Sequence, residues 1–211
     1  MSVVFISEER GKIEIGDNPK NLVVCDPLDG SNNFKRGKGI HLPYCTLITV
    51  FDSLKPRMKN VLVAGIVEHI HGDIWYAGKG MGCFFNDKKC RTSQKKTIDR
   101  ETLLIVDHYM SKDDVSVFSQ IYKRGNVKDF GSASFHFAGV SCGQFDGYLS
   151  VRQKLPELST GLLLIKEAGG FVTDLEGNEL DDLRFSFNKK TPLIATATQQ
   201  LNENIRKLLR R

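Results

Sequence analysis

Residues 26–31 read Asp26-Pro27-Leu28-Asp29-Gly30-Ser31 and follow directly on the apolar run Leu22 to Cys25. A strand that ends on two carboxylates three positions apart can aim both at one point, with the Leu28 carbonyl between them and Pro27 fixing the turn. Carboxylate, carbonyl and carboxylate form an oxygen cage suited to a hard cation such as Mg²⁺, which binds through a few carboxylates plus water and substrate phosphate. Gly30 and Ser31 stand where a helix or turn begins, and backbone N–H groups at such a point bind phosphate. Taken two residues at a time, Asp-Pro and Asp-Gly make ordinary turns. The six-residue match as a whole arises by chance in a chain of this length only on the order of a few times in 100,000.

Around this segment the strand signals are dense. Val3 to Ile6, Leu22 to Cys25, Tyr44 to Phe51, Val61 to Ile70 and Ile74 to Ala77 are rich in Val, Ile, Thr, Tyr and Phe between turn residues. Two hairpins are expected, one turning at His71-Gly72-Asp73 and one at Asn86-Asp87. Helical signals come later: Asp113 to Arg124 with one apolar face, Ser134 to Cys142 and Leu158 to Ala168 as buried helices, the latter capped by Gly169-Gly170, and Leu201 to Leu209. A composition change near Thr92 to Ile98 divides the chain into a strand-rich half, 1–95, carrying the carboxylate motif, and an alternating half, 96–211.

Composition sets the class. The 211 residues carry 30 Lys and Arg against 25 Asp and Glu, a net charge of +5, with 40% hydrophobic residues. That balance excludes a disordered acidic chain. No apolar run approaches the roughly 20 residues that cross a bilayer, and the first ten lack a secretory pattern. Five scattered cysteines without a C-x-x-C pair read as free thiols, so the expected compartment is the cytoplasm. The mild basic excess suits a small anionic substrate; a nucleic-acid partner is not expected.

The motif resembles the D-P-[IL]-D-G-[ST] signature of the inositol monophosphatase and fructose-1,6-bisphosphatase superfamily of Mg²⁺-dependent, lithium-sensitive phosphatases, and further landmarks follow in that family's order. Ser7-Glu8-Glu9-Arg10 resembles G-E-E-S, Gly80 to Asn86 resembles G-x-G-A-x-x-N, and Gly131-Ser132-Ala133-Ser134 resembles G-S-A-A. Pro156-Glu157 through Gly170 resembles W-D-x-A-A-G followed by E-A-G-G. Tyr148 to Arg152 looks closest to the archaeal branch that acts on both inositol phosphates and fructose bisphosphate.

The resemblance implies a layered α/β (α+β) fold of the α-β-α-β sugar-phosphatase kind and a homodimer. It implies two or three Mg²⁺ ions and inhibition by Li⁺. Glu8, Asp26 and the Leu28 carbonyl would hold one ion, and Asp26, Asp29 and Glu157 a second. Glu8 and Ser31 would position the attacking water, with Asp29 in the catalytic set. Gly30, Ser31 and Ser132 would bind phosphate, while Ala133, Ser150 and Arg152 would meet the rest of the substrate. On its own, Glu8-Glu9 reads as a solvated strand end, and only its place before Asp26 to Ser31 makes it a candidate; Arg152 and Lys154 read equally well as ordinary surface charges.

Two departures qualify these implications. The family's two N-terminal helices, and the upstream Asp that polarises the water, have no counterpart before Glu8, so the N-terminal helical layer is expected to be missing and one sheet face uncovered. Trp-Asp is replaced by Pro156-Glu157, and an acidic inositol-binding residue by Ser150. These changes argue against a strict inositol monophosphatase. They leave a 3′(2′),5′-bisphosphate nucleotidase, an NADP(H) phosphatase, or a catalytically weak homologue acting as an interaction module as alternatives.

Overall fold

The alternation of apolar and polar residues in the first half resolves into one twisted antiparallel ribbon with a single parallel pairing. In the computed structural model, which describes residues 2–107 and 117–209, eight strands lie in the order β2-β1-β3-β4-β5-β6-β7-β8. They are β1 (Val3–Ser7), β2 (Gly11–Ile15), β3 (Asn21–Asp29), β4 (Cys45–Phe51), β5 (Val61–Glu68), β6 (Ile74–Gly78), β7 (Gly82–Phe85) and β8 (Lys88–Cys90). The parallel step joins β1 to β3, which sets Ser7 opposite Cys25 and brings the turn after β1 level with the end of β3.

The second half supplies a five-stranded sheet in the order β10-β9-β11-β13-β12. Its strands are β9 (Leu103–Val106), β10 (Asn126–Lys128), β11 (Gly147–Lys154), β12 (Phe171–Thr173) and β13 (Lys190–Thr196). Among the described residues five α-helices accompany the sheets: α1 (Ser31–Arg36), α2 (Ser119–Tyr122), α3 (Ala133–Ser141), α4 (Leu155–Glu167) and α5 (Gln199–Leu209). The helix expected from Asp113 is described only at α2, because 108–116 lie outside the described residues.

Burial explains the layering. Val24, Leu47, Phe51, Ile66 and Trp75 project from the inner face of the large sheet onto Ala138, Leu163, Leu164 and Ala168 of the α3 and α4 region. The opposite sides of those helices, with Phe137, Leu158, Leu162 and Ile165, cover Ile105, Tyr148 and Leu193 of the small sheet. The far face of that sheet packs Leu104, Leu149 and Ile194 against Phe118, Ile121, Leu201 and Ile205. The order of layers is sheet, helices, sheet, helices. Burying each of these large side chains contributes about 1.5–3 kcal/mol, so α3 and α4, apolar on both sides, join the two sheets. Gly161 permits the close approach of α4 to α3, since a Cβ there would run into the Phe137 ring.

Local chemistry sets the element ends. β5 stops at Glu68 rather than running to Ile70, because the Glu68 carboxylate accepts the N–H groups of Ile70 and His71 and turns the chain. Asn86 and Asp87 adopt positive φ, as a two-residue hairpin turn requires. α4 starts earlier than the apolar run suggests, since Pro156 is preorganised for a first turn. It closes with the Gly169 and Gly170 amides donating to the carbonyls of Lys166 and Ile165. The outward face of the large sheet carries Ile13, Ile15, Ile48, Val63 and Ile74, each more than two-fifths exposed. No helix of the described residues is long and apolar enough to cross a membrane.

Candidate metal and phosphate site

β3 ends in the Asp26 to Asp29 segment and passes directly into α1. The switch requires Gly30, which adopts φ 84° and lies so close to the Pro43 carbonyl, Ser132 and Tyr44 that a Cβ would meet them at 3.1–3.2 Å. The buried Asn33 then pins α1, donating to the Pro43 carbonyl at 2.7 Å and to the Phe130 carbonyl at 2.6 Å. The second of these bonds ties the motif to the segment that leads into α3.

α3 returns the contact. Asp29 Oδ2 accepts from Ser132 Oγ and from the Ser134 amide, each at 2.7 Å, so this carboxylate is held at the N-terminus of a helix, where negative charge is favoured. Asp26 Oδ1 accepts the Leu28 amide at 2.9 Å, which shapes the turn through Pro27. Glu157 arrives on the first turn of α4, whose position is fixed by a buried hydroxyl cluster: Thr49 and Thr160 oxygens are 2.6 Å apart, and Ser159 Oγ lies 3.1 Å from Thr49 Oγ1.

The outcome is three carboxylates from two elements, two at the end of β3 and one on α4. Asp26, Asp29 and Glu157 each offer an oxygen within 4.8 Å of the others. Asp26 and Glu157 are buried, at 6% and 5% exposure. Burial, reinforced by Asp29, pushes the Glu157 carboxyl up to about 8. Burial also raises Asp26, with Asp29 and Glu8 adding repulsion against the Leu28 hydrogen bond. Glu157 Oε2 is buried with no hydrogen-bond partner. Carboxyl groups gathered in a buried site, one with an orphaned oxygen, are the donor set of a divalent cation that takes oxygen ligands.

The remaining candidates fall into two groups. Glu8, exposed just beyond β1, is not one of the three converging groups; its Oε2 pairs with Lys154 Nζ at 3.3 Å and its charge reaches Asp26. Lys154 is therefore more than a surface charge. Although burial pulls its ammonium down, Glu157 and Glu8 hold it above its ordinary value. Leu28 lies half-buried between the two aspartates, and Ser31 is exposed at the start of α1. A cavity of about 290 Å³ opens beside the carboxylates, and Asp29, Gly30, Ser31, Ser132, Ala133, Arg152 and Glu157 all line it. Ser150 is fully buried, 3.3 Å from Asp107 Oδ2, and accepts the Arg152 amide.

The same cavity is lined by Tyr148, the first residue of the Tyr148 to Arg152 segment, and by Asp107, Asp129, His136 and Lys190, which sequence reading did not single out. Asp107 follows β9, Asp129 follows β10, His136 sits on α3, and Tyr148 and Lys190 lie on β11 and β13. One signal was available: Asp129 and His136 flank the Gly131 to Ser134 landmark, and in the fold Asp129 Oδ1 is 3.2 Å from His136 Nε2. A second set with metal-ligand spacing, Glu68, His71 and Asp73, occupies the turn between β5 and β6. His69, at the same turn, lies 2.8 Å from Thr46 Oγ1.

Comparison with known proteins gives a consistent picture. A family model described as "Inositol monophosphatase family" matches residues 1–211. The chain is 30% identical over 217 residues to a fructose-1,6-bisphosphatase/inositol-1-monophosphatase of Methanothermobacter thermautotrophicus, covering 98% of this chain and 75% of the relative. It is 29% identical to a bifunctional NADP phosphatase/NAD kinase of Methanococcus maripaludis, over 92% of this chain and 37% of that protein. Among solved structures, extragenic suppressor protein suhB from Bartonella henselae superposes with a TM-score of 0.82 at 26% identity, covering 99% of this chain and 76% of that one.

Proposed function

The chain belongs to the inositol monophosphatase family, and from that premise we propose that it is a Mg²⁺-dependent phosphomonoesterase acting on inositol monophosphate, fructose-1,6-bisphosphate or a similar small anion. The observation that carries the reading is the convergence of Asp26, Asp29 and Glu157, with Glu157 Oε2 buried and unpartnered beside the cavity. Asp26, Asp29 and Glu157 would hold the metal, with the Leu28 carbonyl and Glu8 completing the ligand set. When bound, divalent ions acidify water and offset charge on the ester oxygens.

The chain's own groups do the rest. Arg152 and Lys190 at the cavity wall draw in an anion, and Gly30 and Ser31 receive its phosphate. Ser132 Oγ and the Ser134 amide hold the Asp29 carboxylate correctly turned. Glu8 and Ser31 orient a water so that its oxygen attacks phosphorus opposite the leaving group. A new P–O bond forms, the ester P–O bond breaks, and the alcohol departs carrying a proton. Ser150, fully buried and outside the cavity lining, presents no carboxylate to substrate hydroxyls, which favours breadth over strict inositol specificity. The NADP phosphatase relative supports a 2′-phosphate of a dinucleotide as a second substrate class. Self-association through the exposed isoleucine face belongs to the same reading.

The test is phosphate release from a panel of inositol monophosphate, fructose-1,6-bisphosphate, NADP and adenosine 3′,5′-bisphosphate, with and without Mg²⁺. The proposal expects metal-dependent turnover of at least one ester, inhibition by millimolar Li⁺, and loss of turnover in Asp29→Asn. Absence of turnover on every ester would support the interaction-module alternative instead.

A further inference from the structure

A second set of reactive side chains lies four strands away from the carboxylates in the large sheet and has no part in ester hydrolysis. Cys83 of β7 and Cys90 of β8 are direct cross-strand partners. Opposed residues of an antiparallel pair stand about 4.5–5.5 Å apart at Cα, inside the roughly 4.4–6.8 Å that a disulfide spans. The hairpin turn at Asn86 and Asp87 fixes this register, so the two positions stay opposed. Both side chains point to the inner face: Cys83 is part of the core at 0% exposure, and Cys90, half-buried, packs against that core from the sheet edge. Cys142, at the C-terminal cap of α3, comes to the same corner. Its sulfur accepts from Trp75 Nε1 at 3.4 Å, while Cys90 Sγ donates to the neighbouring Ser141 carbonyl at 3.7 Å.

We propose that Cys83 and Cys90 form a modification site, a cross-strand dithiol that hydrogen peroxide converts to an intramolecular disulfide, with Cys142 left as a thiol. The two sulfurs divide the work. The Cys83 thiol donates toward Cys90, and that bond holds the Cys90 thiol below its ordinary range although burial opposes it. The same bond and burial push Cys83 up. The more exposed Cys90 is therefore the first nucleophile and Cys83 the resolving partner.

The reaction balances in two displacements. Cys90 gives its proton to solvent, and its sulfur attacks one peroxide oxygen; the S–O bond forms, the O–O bond breaks, and the released hydroxide takes the Cys83 proton to leave as water. The Cys83 thiolate then attacks the Cys90 sulfenic sulfur. The S–S bond forms, the S–O bond breaks, and the second hydroxide recovers a proton from solvent. Two thiols and one peroxide give one disulfide and two waters; the sulfurs lose two electrons and the peroxide gains them. Cys142 is a poorer partner because it sits on a helix cap, its sulfur also facing the Gly139 carbonyl, with no strand register to hold it opposite Cys90.

The experiment treats the whole chain with hydrogen peroxide, blocks remaining thiols with N-ethylmaleimide, and maps peptides without reduction. The expected result is loss of two of the five thiols, a Cys83 to Cys90 linked peptide that dithiothreitol releases, and retention of the link in Cys142→Ser. Cys90→Ser, a change at a half-exposed edge position, should yield no linked peptide. A higher melting temperature in the oxidised wild type, absent in Cys90→Ser, is also expected. Five intact thiols, a link from Cys90 to Cys142, or Cys90 recovered as sulfinic acid without a link would each overturn the proposal.

Discussion

Among the described residues, two acidic groups have metal-ligand spacing, and they resolve the cost of a buried carboxylate in opposite ways. At the turn between β5 and β6, Glu68 is 1% exposed at its side chain, yet its Oε1 accepts the Ile70 amide at 2.6 Å and its Oε2 accepts the His71 amide at 2.9 Å. His71 Nδ1 adds a third contact at 3.1 Å. The backbone itself satisfies this carboxylate, and its product is a chain reversal. On the first turn of α4, facing the end of β3, Glu157 is comparably buried but has an oxygen with no partner and two other carboxylates beside it. The distances are alike; the accounting of hydrogen bonds separates a structural turn from a site made for a cation.

The contrast can be broken by substitution. The largest effect is expected from Asp29→Asn, which keeps the shape but removes a metal-binding charge. Turnover should fall on the order of a thousandfold, measured as initial rates of phosphate release. Unchanged rates would erase the distinction between the two groups. Glu157 provides the next test, in the metal-free protein. Its folded-state carboxyl is raised from an ordinary 4.5 to about 8, so the folded state binds more protons than the unfolded chain between those values. Its stabilising contribution is fully present below about 4.5 and is lost as the pH rises through about 8. Melting in EDTA should show this decline, and Glu157→Gln should flatten it.

Glu68→Ala should behave oppositely to the metal-site variants. It frees two backbone amides at the turn and costs about 2 kcal/mol of stability, while phosphate release at a temperature well below melting stays at the wild-type level. A loss of activity without a loss of stability would place Glu68 in the functional class. The smallest effect is expected from Ser132→Ala, which removes one of the two hydrogen bonds to Asp29 and the cap of α3. Stability should fall by about 1 kcal/mol, and calorimetric affinity for Mg²⁺ roughly tenfold.

The sequence made one part of this contrast readable and hid the other. Asp26 to Ser31 is contiguous, so its chemistry is written in adjacent letters, and the strands beside it show the alternation that a sheet with one covered face demands. Ser132 was legible as part of a landmark, but its grip on Asp29 spans 103 positions. Asp107 and Lys190 reach the cavity because β9, β11 and β13 pair side by side, and Asp129 and His136 because α3 packs on β11, tertiary facts that leave no periodic trace. β2 was not read as a strand because all five of its residues are exposed and its pattern has no buried side. The end of β5 was misplaced by two residues because a side chain, Glu68, took the amides that strand pairing would have used.

Diffraction from crystals grown with Mn²⁺ and phosphate tests the central claim most directly, since anomalous scattering locates the metal without assuming its ligands. The account predicts strong peaks among Asp26, Asp29 and Glu157, with phosphate against Gly30 and Ser31. Peaks confined to Glu68, His71 and Asp73, or none at the end of β3, would contradict it.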